Sequence, residues 1–236
     1  MRKAILLSSA ALAVAAFASA AIAQERVVNV YNWSDYIDDS ILQEFTAETG
    51  IKVVYDVYDS NEILETKLLA GGTGYDVVVP TASPFLARQI QAGVYQKLDK
   101  SKLPNLSNAW DLVAERVTTF DPGNEYSVNY MWGTTGLGYN QTKVQDALGI
   151  DTVDSWAVLF DPQNAAKLAD CGIHVLDSPT DVVPSVLAYL GLDPNSTASE
   201  DLAKAEEALL SVRPYIRKFH SSEYVNALAN GDICLA

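Results

Sequence analysis

Six consecutive residues, Tyr31-Asn32-Trp33-Ser34-Asp35-Tyr36, hold three aromatic rings, a hydroxyl and a carboxylate. An organic cation needs these groups: π-faces attract its charge and oxygens accept its N–H bonds. A sequestered ammonium is costly unless it is paired and hydrogen-bonded, so a site for one requires several such groups to converge. The same residue types also suit a strand end, where Tyr and Trp pack a ring and keep a polar tip in water. The elements that position the motif decide between the two readings.

Residues 27–31 read as a strand that delivers the motif at its carboxyl end. Asp39 caps a helix with Ile41, Leu42 and Phe45 along one face before Gly50. Residues 51–57 form the next strand, Ser60 the next cap, and Ile63, Leu64 and Leu68 the next apolar stripe before Gly71-Gly72. Residues 76–80 make a short strand of buried type, and Ser83-Pro84 opens another helix with Pro at its first position. This β-α-β-α-β order predicts an α/β fold, with a parallel sheet covered on both faces and ligands at the carboxyl ends of its strands. Residues 31–36 and Thr81-Ala82-Ser83 both fall at such ends. That coincidence favours binding over packing.

A second unit begins after Tyr130-Met131-Trp132, where Gly133, Gly136 and Gly138 punctuate two short extended runs. Residues 173–176, 216–219 and 233–235 read as strands. Ser178-Pro179 opens a helix, Thr197 and Glu200 form a capping box for another running to about Val212, and Ser221 or Ser222 caps a third. Residues 100–126 carry no readable period.

Met1-Arg2-Lys3, the apolar stretch from Ala4 to Ala20 and the A-x-A site Ala21-Ile22-Ala23 make residues 1–23 a cleavable secretory signal. A soluble, exported chain from Gln24 is therefore expected. The formal charge is −14, and loss of the two cations Arg2 and Lys3 takes it to −16. Nucleic acid is excluded as a partner, because Lys and Arg must neutralise its phosphates. An acidic surface instead speeds encounter with cations.

Enzyme motifs are missing: there is no G-x-S-x-G, H-E-x-x-H or G-x-x-x-x-G-K-[ST]. Gly133-Thr-Thr-Gly-Leu-Gly138 is not a dinucleotide fingerprint, and nothing in the sequence fixes a separation between Asp35 and Asp181 that glycoside hydrolysis would need. No cofactor is expected. Cys171 and Cys234 are an even pair in an exported chain, which points to a disulfide. Cys171-x-x-His174 with His220 and Cys234 is the rival reading, a four-ligand metal site.

Several blocks resemble the putrescine-binding periplasmic proteins of polyamine ABC transporters. They are residues 30–36, Ile51-Lys-Val-Val-Tyr-Asp-Val57, Asp59-Ser-Asn-Glu62, Leu98-Asp-Lys-Ser-Lys-Leu-Pro104, Tyr130-Met-Trp132, Val153-Asp-Ser-Trp156 and Asn230-Gly-Asp-Ile-Cys234. The resemblance implies a type II periplasmic binding fold, with a first lobe over residues 24–132, a second over 133–236, a hinge, and a ligand cleft between them. It also implies a monomer in the periplasm that delivers putrescine or spermidine to an inner-membrane ABC permease.

Carried over by position, Trp33 and Tyr36 become aromatic walls that sandwich the methylene chain, while Ser34, Asp35, Thr81 and Ser83 contact one end of the ligand. Asp181 matches an acidic position of the second lobe, where the family more often has Glu; the shorter side chain leaves room for an intervening water. Asp181 also sits where an acid stabilises the helix start after Ser178. A receptor of the same fold for an amino acid, sugar or metal is the alternative; an amino acid would need a cation for its carboxylate, and Arg88, Arg116, Arg213 and Arg217 lie away from strand ends. Relatives of this kind continue past the position of Ala236, so the chain reads as a fragment expected to fold poorly and bind polyamine weakly.

Overall fold

A computed structural model describes residues 25–236, so the signal-peptide reading of residues 1–23 lies outside the described residues. Strand β1 (Val27–Trp33) runs beside β2 (Lys52–Tyr58) and β3 (Val77–Val78) in a parallel sheet of order β2-β1-β3. The register pairs Trp33 with Tyr58 and Tyr31 with Val78, which brings the carboxyl ends of all three strands to one edge. Helix α1 (Asp39–Thr49) links β1 to β2, and α2 (Asn61–Ala70) links β2 to β3.

Local chemistry sets these helix ends. Asp38, one residue before the expected cap, accepts the Ser40 N–H at 2.8 Å, and Gly50 closes α1 at φ 66°, where a side chain would be strained. Ser60 accepts the Ile63 N–H at 3.2 Å and starts α2. Ser83-Pro84 does not open a regular helix. A π-turn (Ala82–Leu86) with Ser83 out of helical conformation precedes α3 (Ala87–Gln91), because a proline inside the turn has no N–H to give. Residues 100–124 contribute three short 3₁₀ turns and α4 (Asp111–Val117).

The remaining chain builds a second core around α5 (Gln141–Leu148), α6 (Ala157–Phe160), α7 (Pro162–Leu168), α8 (Pro179–Tyr189), α9 (Ser199–Val212) and α10 (Tyr224–Asn230). Strands β4 (His174–Val175) and β5 (Lys218–Phe219) pair in parallel between them. Phe160, Leu168, Ile173, Leu187, Val212 and Leu235 are buried together there. The expected strand over 233–235 reduces to single bridges from Leu235 to Tyr139 and to Ile173. No capping box forms at Thr197: the α9 cap is Ala198, and Ser196 donates to Asp201 at 2.7 Å and accepts the Ala198 N–H at 3.3 Å. Glu223, not Ser221 or Ser222, precedes α10, and the amides of Ser222 and Glu223 are turned to the His220 ring.

Coverage of the first sheet differs from expectation. Tyr31, Tyr58, Leu64 and Leu68 form a small core on one side, but Val54, Val57 and Val77 are exposed, as are Ile41 and Phe45 of α1.

Candidate functional site

The carboxyl edge of the β1–β3 sheet faces the loops of the second core across a cavity of about 360 Å³. Trp33, Ser34, Asp35, Tyr36 and Thr81 line it from one side and Asp181 from the other; Ser83 is not among its lining residues. Residues far apart in the chain thus meet in one cleft. Tyr58, Asp59 and Asn61 join them from the end of β2, and Thr135, Ser221 and Tyr224 from the second half.

Backbone carbonyls fix the aromatic wall. The Trp33 indole N–H donates to the Val79 carbonyl at 2.9 Å, and the Tyr58 hydroxyl donates to the same oxygen. Trp33 lies 4.8 Å from Tyr58 and 5.7 Å from Tyr36, centroid to centroid, with the Trp33 and Tyr36 planes 29° apart. Those two rings stack on each other, so they do not sandwich a methylene chain. A chain between them would need roughly 7 Å, two carbon contacts of 3.5 Å each. They present one joint wall instead. Burial pushes the Tyr36 phenol above its ordinary range, and the nearby Tyr224 and Asp181 add to the shift. Burial also pushes Tyr58 up strongly. Both phenols stay neutral O–H groups.

Asp181 is held from two sides. Its Oδ1 accepts the Thr135 hydroxyl at 3.0 Å, and its Oδ2 accepts the Ser178 hydroxyl at 2.5 Å. It also sits in the first turn of α8, so the helix-start role and the cleft position coincide in one residue. Thr81 is clamped by Asn61, whose carbonyl oxygen accepts the Thr81 N–H at 3.0 Å and whose amide N–H donates to Thr81 Oγ1 at 2.9 Å. The Ser34 hydroxyl and N–H both donate to the Tyr58 carbonyl at 3.1 Å. Ser221 Oγ is enclosed and has no partner among the described residues.

The lining carries three carboxylates, Asp35, Asp59 and Asp181, and among the described residues neither lysine nor arginine. Arg88 is paired with Glu65 at 2.7 Å, and Arg217 donates to the carbonyls of Asp170 and Asp232. The thiolate-metal reading fails, because Cys171 and Cys234 are bonded to each other across a Cα separation of 5.5 Å. Tyr58 and Asp59 were within reach of the strand-end rule that singled out residues 31–36. Thr135, on the non-periodic Gly133–Gly138 link, gave no such signal.

A family profile described as bacterial extracellular solute-binding protein matches residues 40–236. The putrescine-binding periplasmic protein SpuD of Pseudomonas aeruginosa (strain UCBPP-PA14) is 55% identical over 235 residues, 99% of this chain and 63% of its own length. PotF, the putrescine-binding periplasmic protein of Escherichia coli (strain K12), is 54% identical over 216 residues, 91% of this chain and 58% of its own. A solved putative spermidine/putrescine ABC transporter structure from Listeria monocytogenes matches with TM-score 0.78 and 33% identity, covering 89% of this chain and 62% of that one. The chain thus spans about six-tenths of the length of these relatives.

Proposed function

The chain belongs to the bacterial extracellular solute-binding proteins and has their α/β, type II periplasmic binding fold; on that premise we propose that it captures a polyamine, putrescine first. The observation that carries this reading is the charge of the cleft: three carboxylates, an aromatic wall and no cationic side chain among the described lining residues. An ammonium gains from each of these through charge-assisted hydrogen bonds and cation–π attraction. An amino-acid ligand finds no cationic side chain there for its own carboxylate, which counts against that solute class.

In this reading residues 24–132 and 133–236 act as two lobes, and the dication lies along the Trp33–Tyr36 wall. Asp181, Asp35, Ser34 and Thr81 accept its N–H bonds, while Ser83 takes no direct part. A ligand touching both lobes favours the closed arrangement, because its affinity differs between the two states. The site works by binding, without catalysis or cofactor. The relatives' names place them in the periplasm, and this chain is assigned there as a monomeric receptor that hands its cargo to an inner-membrane ABC permease.

Titration of putrescine into the purified chain, followed by calorimetry into the millimolar range, tests the assignment. Saturable binding is expected, weakened about tenfold or more by Asp181→Asn and by Trp33→Ala, since each removes a contact to charge worth a few kcal/mol. Binding that survives both substitutions unchanged would remove this cleft from the function.

A further inference from the structure

Asp181 owes its orientation to two hydroxyls of different origin. Ser178, three residues earlier, belongs to the same helix start, and its Oγ donates to Asp181 Oδ2 at 2.5 Å. Thr135 lies 46 positions away, on the run that follows residue 132, and its Oγ1 donates to Asp181 Oδ1 at 3.0 Å. A single donor holds one oxygen and leaves the carboxylate free to turn about its Cβ–Cγ bond, a torsion with broad wells. A second donor on the other oxygen fixes the plane of the group. Both oxygens keep lone pairs for a further N–H.

The run that carries Thr135 has little else to hold it. Residues 131–136 are exposed, and nothing stands within 4 Å of the Cβ position at Gly133 or Gly136. Among the described residues, the bond to Asp181 is the one hydrogen bond that residues 131–137 make. Resting on the polyamine reading above, we infer that Thr135 is a positioning residue: it sets the plane in which the Asp181 carboxylate receives an ammonium, and so ties the segment between the two lobes to an acceptor of the ligand. Without that hydroxyl the ligand must itself freeze the rotation of the carboxylate, which lowers its affinity.

Putrescine is titrated into the wild-type chain, into Thr135→Val, Thr135→Ser and Asp181→Asn, and into Thr135→Val combined with Asp181→Asn, with the Trp33 indole N–H resonance as the readout. Expected is a loss of about fivefold or more in Thr135→Val and affinity within about twofold of the wild type in Thr135→Ser. Adding Thr135→Val to Asp181→Asn should cost less than about twofold further, because the group to be positioned has lost its charge. The serine variant separates the hydroxyl from the fold, and the double variant separates an action through Asp181 from a direct contact with the ligand. Wild-type affinity in Thr135→Val overturns the inference, as does a serine that fails to restore binding, or an equal loss in both backgrounds. A wild type that does not bind putrescine overturns the polyamine reading, and this inference with it.

Discussion

His174 is the residue whose environment most directly predicts a measurable response. It is 7% exposed in β4, and burial, with Lys218 and Arg217 nearby, holds its imidazole below the 6.5 usual for histidine. The unfolded chain therefore takes up a proton first as pH falls. The stabilising contribution of the neutral ring is complete above pH 6.5 and is lost as pH drops toward the lowered folded value. Thermal melts at pH 5.0 and 7.5 should show a wider gap for the wild type than for His174→Asn. Equal gaps would show that the ring is not kept neutral by burial. Other single residues were legible in the sequence in proportion to how local their chemistry is. Trp33 and Tyr36 stood out through adjacency and Asp181 through the family resemblance, and all three line the cavity. Thr135 meets Asp181 across 46 positions of sequence, a separation over which no pattern in the chain carries a signal.

At the scale of elements, helix starts and strand ends were readable because backbone chemistry is short-range. Ser60 caps α2 as its side chain dictates, and Gly50 ends α1 because it reaches φ 66° without strain. The stretches that misled were those where two local uses competed for one side chain. Ser196 serves the α9 start that Thr197 was expected to serve, and the amides of Ser222 and Glu223 are taken by His220. The apolar stripes of α1 and α2 were visible, but periodicity cannot say what covers a face: Leu64 is fully buried, while Ile63 beside it is 50% exposed. One contact ties α2 to the cleft, the two hydrogen bonds between Asn61 and Thr81. Asn61 is 5% exposed, so Asn61→Ala should strip two bonds from an enclosed loop. A loss of about 1–3 kcal/mol of stability is expected, read from the urea midpoint. The resonances of residues 79–82 should move with it; if both stay in place, the loop is held by other contacts.

Across the whole molecule, the site depends on segments that meet only in three dimensions, and the disulfide fixes one such meeting. Cys171 follows α7, Cys234 follows α10, and the bond between them closes 63 residues of sequence. Around Cys234 the chain supplies acceptors to two other segments. Asn140 donates its N–H to the Cys234 carbonyl at 2.9 Å, His174 to Leu235 at 3.0 Å, and Gly138 to Ala236 at 2.8 Å. Gly138 and Ala236 both line the cavity, so the covalent link at Cys234 also steadies part of the cleft wall. The even pair of cysteines was legible as a bond from composition, but its coupling to the cleft was not, since those hydrogen bonds join residues about 60 to 100 positions apart. In the chain-entropy account a loop of this size contributes about 4 kcal/mol. Replacing both cysteines with serine should lower the melting temperature accordingly. The substitution should also speed amide exchange at Gly138, Asn140 and His174 more than at α9, because their acceptors lie on the released segment 234–236. A uniform acceleration over all amides would mean that the bond acts only on the unfolded ensemble, with the wall held by packing such as that of Ile173 and Leu235.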